Sequence, residues 1–212
     1  MYEDREDAAE TLARELIEYR GQNPLVLAIP RGAVPMAAQI ARALQGELDV
    51  VLVHKLGAPG NPEFAVGAVS EDGTVYIADH AQRLGIDERY LQRETDQQLE
   101  VLRRRREQYT PVRLSIDPRD RIVIVVDDGI ATGATMLAAL KAVRAQQPSR
   151  LIAAVGVAPP ETLERMRAIA DDVVCPLKPQ RFRAVGEFFR TFGQVDDAEV
   201  VSILSGASGK QQ

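Results

Sequence analysis

The chain is nearly empty of the residues that build disulfide or zinc frameworks. Its single cysteine, Cys175, cannot close an internal disulfide, and its two histidines, His54 and His80, add no zinc-ligand spacing. A small stapled scaffold is excluded, and a reducing cytoplasm is the expected compartment. An excess of cations is missing as well. The 26 lysines and arginines against 31 aspartates and glutamates leave a formal charge of −5, which argues against broad electrostatic binding of nucleic acid. Met1 to Glu15 is rich in acids where a secretory signal would be basic and then apolar, so export is not expected. The most apolar long stretch, Ile122 to Leu140, carries Asp127 and Asp128 near its middle, so a membrane span is not expected either. There is no internal repeat, and no linker divides the chain.

What is present is ordinary for a globular domain: 212 residues, 45% apolar and 27% charged. Apolar runs rich in Val, Ile and Leu recur at Leu25 to Ile29, Val50 to His54, Ile122 to Val126 and Leu151 to Val157. They read as strands buried on both faces. Helical periodicity lies between and after them, at about Val34 to Leu44, Ala134 to Ala145 and Glu161 to Ala170. This alternation predicts an α/β fold with a mostly parallel, doubly wound sheet flanked by helices, whose functional groups gather at the carboxyl ends of the strands. One domain covers about residues 1–204. Phe64 to Val69 and Thr74 to Ile77 read as a hairpin through Glu71-Asp72-Gly73, and are expected to extend one side of the sheet. With a long helix from Asp87 to Gln108 they form an insertion at about 64–110. The run Arg103 to Arg106 reads as a solvated helix end, and the small polar tail from Ser205 to Gln212 as disordered.

The informative segment is Ile122 to Thr135, IVIVVDDGIATGAT. An apolar strand ends in two carboxylates, a loop with Gly129, Thr132, Gly133 and Thr135 follows, and a helix begins at once. Glycines let backbone amides approach an anion, hydroxyls donate to phosphate oxygens, and a helix amino terminus supplies unpaired N–H groups. Two carboxylates would repel a phosphate, so they must face hydroxyls, a divalent cation, or both. A sugar phosphate with a metal meets both demands. No lysine follows Gly133 before Lys141, which excludes a nucleotide P-loop, and no GxGxxG follows the strand.

DDGIATGAT after four apolar residues resembles the phosphoribosyl pyrophosphate motif of the type I phosphoribosyltransferases. The resemblance implies that Asp127 and Asp128 contact ribose hydroxyls and stabilise a cationic sugar ring. It gives the sugar's phosphate to Gly129, Ile130, Ala131, Thr132, Gly133, Ala134 and Thr135. Pro30, Arg31 and Gly32, again between strand and helix, resemble the family's pyrophosphate loop, which implies a cis peptide bond between Pro30 and Arg31. His54-Lys55 followed by LGAPGNPEF resembles the family's flexible catalytic lid, with Lys55 neutralising pyrophosphate. The longer string HKLGAPGNPEFAVGAVSEDG resembles a bacterial subgroup of uncharacterised, predicted phosphoribosyltransferases.

The implied reaction displaces pyrophosphate from phosphoribosyl pyrophosphate by a nitrogenous acceptor, with magnesium held mainly by substrate oxygens and water. Ala131 stands where enzymes for 6-oxopurines carry an aspartate, which disfavours that acceptor. The family's variable hood maps to about 176–200, where Phe182, Phe188, Phe189 and Phe192 could stack on a planar base. The expected partners are these two small molecules, with no membrane or nucleic acid and a homodimer left open. Two other function classes remain: a non-catalytic sensor of phosphoribosyl pyrophosphate or a nucleotide, and an assembly protein that kept the fold alone.

Overall fold

The computed structural model describes residues 1–78, 81, 85–109 and 115–208, the side chains of 62, 63 and 65 excepted. His80 and the last four tail residues therefore lie outside the described residues. In chain order the elements are helix α1 (Arg5–Glu15), strand β1 (Leu25–Ala28), α2 (Ala33–Leu44), β2 (Glu47–Val50), β3 (Val53–Ala58), β4 (Asn61–Ser70), β5 (Val75–Ile77), α3 (Glu88–Tyr109), β6 (Ile122–Asp127), α4 (Ala134–Ala145), β7 (Arg150–Val155), α5 (Pro160–Arg167), β8 (Asp172–Val174) and α6 (Asp197–Ser208). Single 3-10 turns form at Ile17–Tyr19 and Val185–Phe188.

Five strands pair in parallel in the order β2-β1-β6-β7-β8. Their side chains alternate between two apolar clusters. Val26, Ala28, Ile124, Val126, Ile152 and Ala154 pack with Leu12 of α1, Ile40 of α2 and Leu204 of α6. Leu25, Leu27, Val123, Val125, Leu151 and Ala153 pack instead with Leu140 of α4 and Leu163 of α5. Each fully buried Leu, Ile or Val stabilises the fold by about 1.5–3 kcal/mol, so a sheet covered on both sides follows from the unbroken apolar runs. The mostly parallel, doubly wound α/β fold read from the sequence is the fold observed.

The hairpin is placed differently from the sequence expectation. It does not extend the parallel sheet: β3, β4 and β5 form a separate antiparallel sheet of their own. The cause is a break inside the run Val50 to His54. Val51 still donates to the Ala28 carbonyl at 3.0 Å, but the Leu52 carbonyl accepts from Glu71 N at 3.0 Å, and from Val53 onward the chain pairs with β4. Helix α3 packs on β3 and β4 and also meets α6, burying Leu102 and Tyr109.

Two polar segments are helical. The acidic amino terminus is helix α1, capped by Asp4, whose carboxylate accepts from Glu6 N at 2.9 Å and Asp7 N at 3.0 Å. The tail expected to be disordered is helical through Ser208, because Val200 and Leu204, one turn apart, are both fully buried. The arginine run splits. Arg103 and Arg104 are solvent-exposed, as expected of a helix end, whereas Arg106 turns inward to pair with Glu71 and the Val50 carbonyl, with Asp49 at 3.6 Å.

Candidate active site

Strands β1 and β6 lie side by side and parallel, so the loops leaving their carboxyl ends emerge together. Ile29 N donates to the Val126 carbonyl at 3.0 Å, which carries the pairing one residue past β1. The β1 loop is Pro30-Arg31-Gly32, and its Pro30–Arg31 peptide bond is cis. The β6 loop begins at Asp128 and runs to Gly133. Each loop feeds a helix, α2 or α4, whose amino terminus has no side-chain cap.

Gly32 shows how closely the loops approach. A Cβ there would press into Asp128 Oδ2 and come within 3.1 Å of Arg5 Nη2, so only glycine leaves the room. Asp127 Oδ1 accepts from Asp128 N at 2.9 Å. Asp128 Oδ2 accepts from Arg5 Nε at 2.8 Å and forms an ion pair with Arg5 Nη2, also at 2.8 Å. Burial and the neighbouring Asp128 carboxylate push Asp127 well above the usual carboxylate range. Burial raises Asp128 too, while the Arg5 guanidinium holds that rise in check.

Arg5 was not legible as a site residue, standing 123 positions from Asp128. It arrives because the chain before α1 pairs with the segment after the second 3-10 turn. Tyr2 N donates to the Phe188 carbonyl at 2.8 Å, and Arg190 N donates back to the Tyr2 carbonyl at 3.0 Å. Tyr2 Oη donates to the Gly156 carbonyl at 2.8 Å, fixing this edge over the end of β7. Arg5 then also donates to the Gly193 carbonyl at 2.6 Å and lies 3.9 Å from the Phe192 ring centroid.

Together Arg5, Arg31, Gly32, Asp128 and Phe192 line a cleft of about 530 Å³, with Val185 and the run from Gly193 to Val195. A larger cavity of about 780 Å³ lies between α2, α6 and the edge strand β2. Glu6, Glu47 and Glu199 line it against Arg42, an unfavourable charge set for a phosphate, so size does not make it the site.

The other residues singled out from the sequence separate into groups. Ala131 and Thr132 are exposed at the tip of the β6 loop, while Ile130 is buried and gives its N–H to the Val157 carbonyl at 3.0 Å. Gly133 has φ +76°, and Ala134 and Thr135 begin α4 behind it. Lys55 lies on β3 opposite Ala68 and does not line the cleft, and His54 Nδ1 sits 3.0 Å from the Lys55 carbonyl. The segment read as a lid, Leu56 to Phe64, is not an irregular loop. It is the end of the β3–β4 hairpin, turning at Pro59-Gly60 with register shifts about Gly57, whose carbonyl accepts from Tyr90 Oη at 2.9 Å.

The phenylalanines divide likewise. Phe189 is 5% exposed and packs on Tyr2 with centroids 5.3 Å apart, a core position rather than a contact surface. Phe182 and Phe188 stack on each other at 5.2 Å. Phe192 alone of the four lines the cleft, 38% exposed. Among the described residues no cluster of three or more His, Cys, Asp or Glu could cage a metal, and no helix is long and apolar enough to cross a membrane.

A sequence model of the phosphoribosyl transferase domain matches residues 1–187. The chain belongs to the phosphoribosyltransferase family. Two Mycobacterium tuberculosis strains carry a relative, in one of them named "Putative phosphoribosyl transferase Rv0571c", that is 41% identical over 98% of this chain and 47% of its own length. The chain thus spans about half the length of these curated relatives. The crystal structure of TT1426 from Thermus thermophilus is 48% identical, covers 98% of this chain and 99% of that one, and superposes with a TM-score of 0.86. In this phosphoribosyltransferase domain the cleft therefore belongs to a fold shared along nearly the whole chain.

Proposed function

We propose that the domain binds phosphoribosyl pyrophosphate with magnesium and transfers the phosphoribosyl group to a nitrogenous acceptor, releasing pyrophosphate. One observation carries the reading: a carboxylate pair at a strand end stands between two uncapped helix amino termini, each preceded by a loop of the right chemistry. The loop from Gly129 to Thr135 takes the 5-phosphate. Pro30, Arg31 and Gly32 take the pyrophosphate, where Arg31 adds a cation. Clamping both ends of one substrate supplies orientation, the chief protein contribution to a displacement at the anomeric carbon.

Asp127 and Asp128 accept hydrogen bonds from ribose hydroxyls and stabilise positive charge as the ring becomes cationic. Bound magnesium supplies charge neutralisation on the leaving group. The donor set fits an ion carried by substrate oxygens and water, since the described residues offer no three-ligand cage of their own. Phe192, the cleft's aromatic ring, stacks on the acceptor. Ala131 puts no carboxylate at the loop position that would read a 6-oxopurine. The hairpin end around Pro59-Gly60 closes over the substrates and brings Lys55 toward the leaving group. The lone buried thiol of Cys175 suits the reducing cytoplasm.

A second reading, a regulator that binds phosphoribosyl pyrophosphate without turning it over, draws on Lys55 standing outside the cleft. The test is calorimetry with phosphoribosyl pyrophosphate and magnesium, joined to a pyrophosphate-release screen over a panel of bases, on wild type and Asp128→Asn. An enzyme loses turnover beyond its loss of affinity by at least about tenfold, or about 1.4 kcal/mol, because the carboxylate matters more in the transition state. Tight binding with no release for any base supports the regulator. No binding at all overturns both readings.

A further inference from the structure

Helix α5 carries two side chains, one turn apart, that reach back to the β6 loop. Thr162 Oγ1 donates to the Ala131 carbonyl at 2.7 Å, and Arg165 Nη1 donates to the Thr132 carbonyl at 3.0 Å. Two consecutive carbonyls of the loop are thereby held on the α5 side. A trans peptide is planar, with its C=O and N–H pointing in opposite directions. Both peptides are trans, since Pro30–Arg31 is the cis bond of the described backbone. The N–H groups of Thr132 and Gly133 consequently point away from α5. Neither donates to another group among the described residues, although Gly133 itself is buried. A buried amide without a partner is costly, and the Gly133 amide, with the exposed Thr132 amide beside it just ahead of a helix amino terminus, forms an anion cradle.

We propose that Thr162 and Arg165 are positioning residues, which set the β6 loop so that the Thr132 and Gly133 amides bind the 5-phosphate of the substrate. The inference rests on the phosphoribosyltransferase reading and assigns α5 a part in it. Thr162 is 3% exposed, and its Cγ2 would lie 2.7 Å from a Cβ at Gly133, so it also packs against the loop it orients. Arg165 comes within 3.5 Å of Tyr76 Oη on β5, which places the small sheet against the same support. Neither side chain needs to touch the ligand. Losing either lets its peptide rotate and point an oxygen where the phosphate requires a donor.

The experiment separates the two ends of the substrate. Ribose 5-phosphate and inorganic pyrophosphate are titrated individually, with magnesium, into wild type, Thr162→Val, Thr162→Ser and Arg165→Met, alongside thermal unfolding of each. Thr162→Val and Arg165→Met are expected to weaken ribose 5-phosphate by about tenfold while pyrophosphate, held at the β1 loop, binds as in wild type. Thr162→Ser restores the hydroxyl and the affinity. Equal loss for both ligands, or a loss of stability with both affinities unchanged, overturns the positioning role and leaves the phosphoribosyltransferase reading standing. Wild type that binds neither ligand overturns that reading and this one with it. Arg165→Met, at the protein surface, keeps the test decisive where Thr162→Val does not fold.

Discussion

Replacing Arg5 by glutamine removes the counter-charge of Asp128 while keeping a side chain of similar reach. The pair is 14% and 13% exposed, close enough to buried that breaking it strands a carboxylate beside a second one. Breaking a fully buried pair costs about 3–5 kcal/mol, and the residual exposure here lowers that to about 2–3 kcal/mol. For a chain of this size each kcal/mol moves the melting temperature by about 2–4 °C, so a drop of about 4–12 °C is expected near neutral pH.

The pH dependence is the sharper test of that reasoning. Burial already raises Asp128 in the folded state, with Arg5 pulling against it. Without Arg5 the folded pKa rises further above the unfolded value. The folded state then binds more protons than the unfolded one between those two values, so its stability increases as pH falls through that window. Protonation of Asp128 also removes the stranded charge. The penalty for Arg5→Gln is therefore largest on the alkaline side of the raised pKa and shrinks in acid. Denaturant unfolding of both proteins at about pH 8 and about pH 5 reads it directly. An equal penalty at both pH values, or a larger one in acid, refutes the account of Asp128 as a charge held by Arg5.

Gly32→Ala drives a Cβ into the Asp128 carboxylate and is expected to cost about 1–3 kcal/mol and to displace Arg5; a crystal structure with the Arg5–Asp128 pair intact would contradict this. Arg106→Met removes the cation that pairs with Glu71 and lies 3.6 Å from the buried Asp49, so a loss of about 3 kcal/mol in denaturant unfolding is expected, with no change in affinity at the cleft. Burial pushes the Cys175 thiol up to about 11, so a thiol reagent near pH 8 should modify it only after unfolding; rapid labelling of the native protein would show the site to be open.

The parallel sheet was legible because strands such as Ile122 to Val126 are apolar on both faces and end in turn residues. The motif at Asp127 to Thr135 was legible for a related reason: strand, loop and helix each impose their own residue types in succession. The small sheet was misread because Val50 to His54 is one apolar run, and nothing in its composition marks the point after Val51 where pairing passes from β1 to β4. Helix α1 carried a usable signal, Asp4 with Asp7 three residues on and Ala8, Ala9, Leu12 and Ala13 at helical spacing. Arg5 carried none, since its role comes from chain pairing at the opposite terminus. The phenylalanine cluster misled in part: Phe189 packs inward on Tyr2, and which ring of a cluster faces a cleft depends on register that composition does not record.

Asp197 sits at the start of α6 and accepts from Tyr109 Oη at 3.0 Å while Arg31 Nη1 lies 3.7 Å from its other oxygen. One carboxylate thus joins the last turn of the insertion helix, the first turn of the final helix and the cation of the β1 loop. A chain shortened to end at Val195 would keep every strand of both sheets, yet it would leave the Tyr109 phenol without its acceptor and Arg31 without its tether. The orientation of a charge in the cleft is in this way set by α6, and losing that helix would be felt at the β1 loop as well as in the sheet face that packs on Leu204.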